Sequence, residues 1–380
     1  MLPEVFQTFV ERSPVGVMMQ AVLENLFQAD RLDQLFAQTA QQQYQRTLLF
    51  SSVVELTQSV VLGAEPSVYA AYRKRRHALQ VSDQAVYDKL DGMELGLSTA
   101  LVSDSARQAK AVIQALQARR APWLSGYRTQ LLDGNHLSAT EHRLQELRTT
   151  WAAPLPGKAL VILEPETGLA THVFLTPDGH ASERSLLDDV LAGVQKRDLW
   201  IADRNFCTLK FMTEIARKRG CFILRQHGTV EGMLCGKRRF QGTGPTGKVY
   251  EQTLELAYEG KTHRLRRITV ELNEPTRDGD TSVHVLTNLP AKVPALQIAQ
   301  LYRQRWTIET LFLEVTTTLS CEIKTLCYPK AALFVLCLAL IAANAVAVMK
   351  AALRAAHGHD QADQLSGYYL ALEVKQVHQA

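Results

Sequence analysis

Three acidic residues have the placement that metal-assisted phosphate chemistry requires. Asp133 closes the strand-like run "YRTQLLDG", and Asp203 closes the apolar run "LWIAD". If the two strands are neighbours, both carboxylates leave the sheet at one edge. A third acid, Glu309 in "YRQRWTIETLFLEVTT", can reach that edge from a helix lying across the sheet. Carboxylate oxygens suit hard cations such as Mg2+ or Mn2+. Two such ions, held about 4 Å apart, activate an oxygen nucleophile and stabilise the leaving oxygen in phosphodiester cleavage. Strand-end acids also serve as plain turn caps, and for each acid alone both readings stand open.

The helix carrying Glu309 adds specificity. Tyr302, Arg305, Glu309 and Thr316 recur at spacings of three, four and seven, which places them on one face of a continuous helix. The guanidinium of Arg305 could grip a phosphate as a planar fork. The plainer alternative is a half-buried Tyr302 beside an exposed ion pair that contributes little.

The surrounding pattern predicts the elements that would position these groups. Residues 1–120 read as helical. "LDQLFAQTAQQQYQRTLLFSSVVELTQSVVLG" is compatible with one long helix, and "PSVYAAYRKRRHAL" and "VSDQAVYDKLDGM" with two short ones, the last capped by Ser82. Arg73, Lys74 and Arg75 make a basic edge on the short pair, which fits either a DNA-reading helix-turn-helix or a plain bundle. Residues 121–227 read as three strands followed by helix, strand, helix and strand, a mixed α/β sheet. Residues 228–290 are rich in Gly and Thr and contain three β-like runs. Residues 291–356 begin with a long helix near Pro294, and residues 357–380 form a tail.

At 380 residues, with 46% hydrophobic and 21% charged residues, the chain has an ordinary globular composition and room for a large core. Its net charge is only +4, yet the span 207–270 holds 13 Lys and Arg against 5 Asp and Glu. A basic surface on a near-neutral protein fits an anionic partner, or a solvated charged face. The stretch "AALFVLCLALIAANAVAVM" is long enough to span a bilayer, but it is rich in Ala, includes Asn344 and has Lys at both ends. It reads better as a helix buried inside the protein. The six cysteines form no Cys-x2-Cys pair, and "MLPEVFQTFVERSP" lacks the pattern of a secretory leader, so free thiols in the cytoplasm are expected. "GTGPTGK" lacks the spacing of a phosphate-binding loop, and the histidines of "HGHD" read as solvated.

Taken together, these motifs resemble the DDE transposases of the bacterial insertion sequence four family. That family carries Tyr-x2-Arg-x3-Glu-x6-Lys on the helix of its last acid, and Tyr302, Arg305 and Glu309 match it. "LLDG" and "IADRNF" resemble the settings of its first two acids, and Trp306 matches a common neighbour of the Arg. The resemblance covers most of the chain, from "YQRTLLF" to near His357. It implies an α/β fold: a ribonuclease H-like mixed sheet core with a β-rich insertion, preceded by an all-α N-terminal domain that recognises terminal inverted repeats. It implies two Mg2+ or Mn2+ ions held by Asp133, Asp203 and Glu309, and a homodimer pairing two DNA ends in the cytoplasm. Tyr302, Arg305 and Arg204 would lie against DNA, with Trp306 stacked on a displaced base or packed in the core. Arg238, Arg239, Arg266 and Arg267 would contact DNA backbone. The chemistry implied is cut-and-paste, through a hairpin, on double-stranded transposon ends and target DNA. One departure stands out: Thr316 occupies the place of the signature lysine, which costs a charged phosphate contact. Lys324 lies about two turns further on. A transposase-derived repressor that binds the same ends without cutting is the alternative.

Overall fold

The computed structural model describes residues 14–137, 157–276, 279–323, 326, 328–358, 362 and 369. Lys324, His359 and Asp360, singled out above, lie outside the described residues.

Among the described residues, six helices come first: α1 (Pro14–Leu26), α2 (Ala29–Thr39), α3 (Phe50–Val61), α4 (Val68–Leu79), α5 (Asp83–Asp91) and α6 (Leu95–Ala115). The hydroxyls of Ser67 and Ser82 accept the N–H groups of Ala70 and Ala85 and so begin α4 and α5. The continuous helix predicted through residues 32–63 is broken in two. The Glu94 carboxylate accepts the backbone N–H groups of Gln41, Gln42 and Gln43, holding the chain out of the helix between α2 and α3. A contact 51 residues away thus overrides local propensity.

The strands β1 (Arg128–His136), β2 (Lys158–Glu164), β3 (Leu169–Thr176), β4 (Asp198–Ala202) and β5 (Cys221–Arg225) stand in the order β3-β2-β1-β4-β5. β1, β4 and β5 are parallel, while β2 and β3 run antiparallel to their neighbours. A 3-10 turn (Glu183–Leu186) and α7 (Leu187–Ala192) lead into β4, and α8 (Leu209–Arg217) leads into β5. Four more strands, β6 (Met233–Gly244), β7 (Gly247–Tyr258), β8 (Lys261–Leu272) and β9 (Ser282–Thr287), join the open edge of β5 in the order β9-β8-β7-β6. The result is one mixed sheet of nine strands, so the β-rich region continues the core sheet. β6 is absent from the sequence reading because its exposed, Gly- and Arg-rich residues lack an apolar alternation.

Alternation along the strands sorts the core into two faces. Leu131, Leu199, Ile201 and Ile223 face the N-terminal helices and the last helix, whereas Leu132, Trp200, Ala202, Phe222 and Leu224 face α7 and α8. That last helix, α11 (Pro329–His357), is apolar, long enough to cross a membrane, and buried within the protein. Two polar residues are buried on it, Arg354, which donates to the Ala118 carbonyl, and Asn344, whose side chain both accepts and donates. The side-chain carbonyl accepts the Ala170 N–H at 2.8 Å and the amide donates to the Ala170 carbonyl at 3.0 Å. This pins α11 to the start of β3.

The helix predicted from Pro294 onwards also divides, into α9 (Ala295–Arg303) and α10 (Trp306–Thr317). Arg305 N–H donates to the Tyr302 carbonyl, and Ile308 N–H to the Arg305 carbonyl. These three-residue spacings mark a tightened turn between the two helices. Tyr302 therefore belongs to α9 and Glu309 to α10, and the signature residues do not share one straight helical face.

Candidate active site

The parallel ladder between β1 and β4 ends at the pair Leu132 and Ala202. Asp133 and Asp203 are the next residues on the two strands, at the point where they part. β1 itself continues to His136, paired only to β2. Asp133 lies two residues beyond Leu131, and Asp203 two beyond Ile201, so by alternation both belong to the face on which α10 packs. α10 buries Ile308, Leu311 and Val315 in the same core and brings Glu309 to that edge.

Arg305 ties the arrangement together. Its Nη1 donates to Asp133 Oδ2 at 2.9 Å and its Nη2 to Glu309 Oε1 at 2.7 Å. The side chain of Arg305 is 9% exposed and that of Glu309 38%, so the pair opens toward solvent on the α10 side. Burial raises the Asp133 carboxyl to about 6, against the pull of Arg305, with Asp203 and Glu309 adding to the rise. Asp203 and Glu309 are thus both within electrostatic reach of Asp133. Burial works against the charge on Arg305, but Tyr302, Asp133 and Glu309 together hold it above its ordinary range. Burial likewise raises the Tyr302 phenol, while Arg305 and Arg225 oppose the rise. Arg305 Nε is buried with no hydrogen-bond partner among the described residues.

Among the described residues, no three acid, histidine or cysteine side chains are gathered closely enough to chelate one ion. The donor set nonetheless fits a hard cation. The acids supply only oxygen ligands, and two of them already share one positive charge, the guanidinium of Arg305.

The turn behind Asp203 is held from several sides. Asp203 Oδ1 accepts the Asn205 N–H and caps the 3-10 turn Arg204–Phe206. The Asn205 side-chain amide donates to Glu183 Oε2 at 2.6 Å, and the Asn205 backbone carbonyl accepts from Arg184 Nε at 2.7 Å. The Glu183 carboxylate lies over Gly134, where an added Cβ would stand 2.2 Å from Oε1. Sequence reasoning passed over Glu183, because nothing local distinguishes it from a helix-start acid.

The basic residues divide by their surroundings. Arg204 is exposed on the turn after Asp203, and Arg73 is exposed on α4, where Lys74 and Arg75 pair with Glu65 and Glu55. Arg239 is exposed on β6. Arg238 pairs with Glu271 and lies 3.7 Å over the Tyr250 ring. Arg267 donates to Gln226 at 2.7 Å. Arg266 is engaged internally: it pairs with Glu251 and donates to the carbonyls of Pro290 and Val293. Arg225, which the sequence did not single out, pairs with Asp280. Burial, then Arg267, Arg238 and Arg225, push the His284 imidazole down to about 4. Trp306 is 63% exposed, and Thr316 turns its hydroxyl back to the Phe312 carbonyl at 2.8 Å.

Comparison with known proteins shows the family. Part of the chain is 32% identical over 162 residues to "Putative transposase y4zB" of Sinorhizobium fredii (strain NBRC 101917 / NGR234). The match spans 38% of this chain and 43% of that protein's length. The family described as "Transposase DDE domain" matches residues 124–345, which is more than half of the chain and includes all three acids. The chain therefore belongs to the DDE transposase domain family.

Proposed function

We propose that this chain is a transposase that cuts DNA at the ends of a mobile element and joins the freed ends to target DNA. The observation that carries the reading is the meeting of Asp133 and Asp203 at the end of one parallel ladder, with Arg305, 172 residues from Asp133, linking it to Glu309. The strand order β3-β2-β1-β4-β5 supports a ribonuclease H-like core, with β6 to β9 as the β-rich insertion between the second and third acids. The spacing of Tyr302, Arg305 and Glu309 supports membership of the insertion sequence four family.

In this reading Asp133, Asp203 and Glu309 hold two Mg2+ or Mn2+ ions. Such ions supply Lewis-acid charge at the scissile phosphodiester. Arg305, whose Nη atoms bond Asp133 and Glu309 in this structure, would turn its fork to the neighbouring phosphate once those acids are otherwise neutralised, and Tyr302 shapes the wall beside it. Arg204 lies against the strand being cut, and the exposed Trp306 offers a stacking face to a displaced base. Arg238, Arg239, Arg267 and Arg225 line the path of the duplex across the β-rich region, while Arg73, Lys74 and Arg75 serve the helices that recognise terminal inverted repeats. A water oxygen joins phosphorus and the 3′-oxygen leaves. The freed 3′-hydroxyl then attacks the opposite strand, whose own 3′-oxygen leaves, to form a hairpin; water reopens the hairpin, and the regenerated 3′-hydroxyl attacks a target phosphodiester, from which the target 3′-oxygen leaves. Pairing two ends calls for a homodimer, acting on DNA in the cytoplasm.

A second reading rests on Thr316, which lacks the charge of the signature lysine and bonds to its own helix. It makes the chain a repressor that occupies the ends without cutting. Incubation with DNA carrying the element's ends and Mg2+ or Mn2+ separates the two. The transposase reading expects cutting by the natural chain and binding without cutting by Asp203→Asn. Cutting only after Thr316→Lys would mean a transposase weakened at one phosphate contact. Binding without cutting by every variant would establish the repressor.

A further inference from the structure

We propose that Glu183 is a positioning residue for Asp203, acting through Asn205. The inference rests on the reading of Asp203 as a metal ligand and names how its carboxylate is aimed. Asn205 makes three bonds that together fix the turn. Its N–H goes to Asp203 Oδ1, its side-chain amide goes to Glu183 Oε2 at 2.6 Å, and its backbone carbonyl accepts from Arg184 Nε at 2.7 Å. Two consecutive residues of the 3-10 turn after β3 therefore grip the residue that orients Asp203.

Gly134 makes the grip possible. Residues 133 and 134 point to opposite faces of the sheet, so Asp133 belongs to the α10 face and position 134 to the face of α7 and α8. A side chain at 134 would enter the Glu183 carboxylate, since its Cβ would stand 2.2 Å from Oε1 and 2.5 Å from Cδ. Glu183 thus fills the space left by the glycine immediately beside Asp133, on the face opposite Glu309. From there it supports the ligands from behind and does not join them. Its carboxylate accepts from Asn205, and a glutamine carbonyl can accept the same bond.

Titration of the 380-residue chain with Mn2+, reading free ion by its electron paramagnetic resonance signal, tests the assignment. Removing a partner that orients a ligand typically weakens metal affinity about 10- to 100-fold. Glu183→Ala and Asn205→Ala are expected to weaken Mn2+ binding by about tenfold each. The double variant is expected to be no weaker than either single one, because both remove one grip. Glu183→Gln is expected to recover affinity to within about threefold of the natural chain, since it restores the accepting oxygen. Thermal melts without metal identify any variant lost to misfolding, and the glutamine variant then carries the test alone against natural protein. Unchanged Mn2+ affinity in Glu183→Ala and Asn205→Ala overturns the proposal. Additive losses, or a glutamine variant as weak as alanine, also overturn it, because Glu183 would then act on the ion directly. Absence of Mn2+ binding by the natural chain, or no effect of Asp203→Asn, overturns the reading of the site itself and this inference with it.

Discussion

Asp133 carries an unusual burden for a carboxylate. Its pKa is raised from the ordinary 3.8 to about 6, first by burial and then by Asp203 and Glu309, with Arg305 opposing. A group whose proton is held more tightly in the folded chain stabilises the fold while protonated. That advantage is full below the unfolded value and disappears as pH rises through about 6. Stability should therefore fall between pH 4 and 6, and Asp133→Asn should flatten that fall. At pH 7.5 the variant should be more stable by on the order of 1–3 kcal/mol, read by urea denaturation at both pH values. The same proton competes with a cation, so Mn2+ affinity of the natural chain should drop about tenfold per pH unit below 6. Arg305 has the opposite character. Arg305→Gln leaves Asp133 and Glu309 without their shared cation, and breaking such a buried pair costs about 3–5 kcal/mol. A metal-free melt should reveal this loss, and added Mn2+ should recover part of it. The acids and the Arg were legible from residue type and spacing. The bond between Arg305 and Asp133 was not, because its partners are 172 residues apart.

Among the elements, α11 shows most clearly how one polar residue can specify the place of a helix. Its composition alone would serve a membrane span or a core. Asn344 selects the second by satisfying both backbone groups of Ala170. Asn344→Leu leaves a buried N–H and a buried carbonyl without partners, and should destabilise the chain by about 2–4 kcal/mol in chemical denaturation. Two predicted helices divide for reasons outside their own sequence. Glu94 captures three N–H groups after α2, and the turn at Gln304 and Arg305 lets Arg305 reach both acids. Helical periodicity cannot register either contact, because it sees only neighbours within a turn or two. β6 was missed for a related reason. It is held by its ladder to β7 and shows no buried face.

At the scale of the whole molecule, one nine-stranded sheet carries both the acids and the basic β-rich region. The excess of Lys and Arg in residues 207–270 is spread over β5 to β8 and the segments that flank them, but its members differ in availability. If Arg238 and Arg239 meet phosphate, replacing either with Ala should reduce the slope of log affinity against log salt by about 1. Arg266→Ala should behave differently. It removes the bonds to Glu251, Pro290 and Val293, so it should lower the melting temperature while leaving the salt slope unchanged. Fluorescence anisotropy over a salt series, with parallel melts, distinguishes the two kinds of arginine. Charge count alone could not separate them, because it does not show which guanidinium faces inward.

The sequence by itself determined the chemistry available to this protein and most of its elements. Apolar runs ending in Asp133 and Asp203, the alternation of strands and helices, and the capping serines are local features, set by residue type and period. Tertiary structure alone decided how these parts meet. It made β1 and β4 parallel neighbours, bent the chain at Arg305 to bridge two acids, and brought Glu183 over Gly134 to hold Asn205. It also turned Arg266 inward while leaving Arg239 exposed. The physical reason is range. Propensity, capping and hydrophobic period act over a few residues, whereas the site is assembled by contacts between residues tens to hundreds of positions apart.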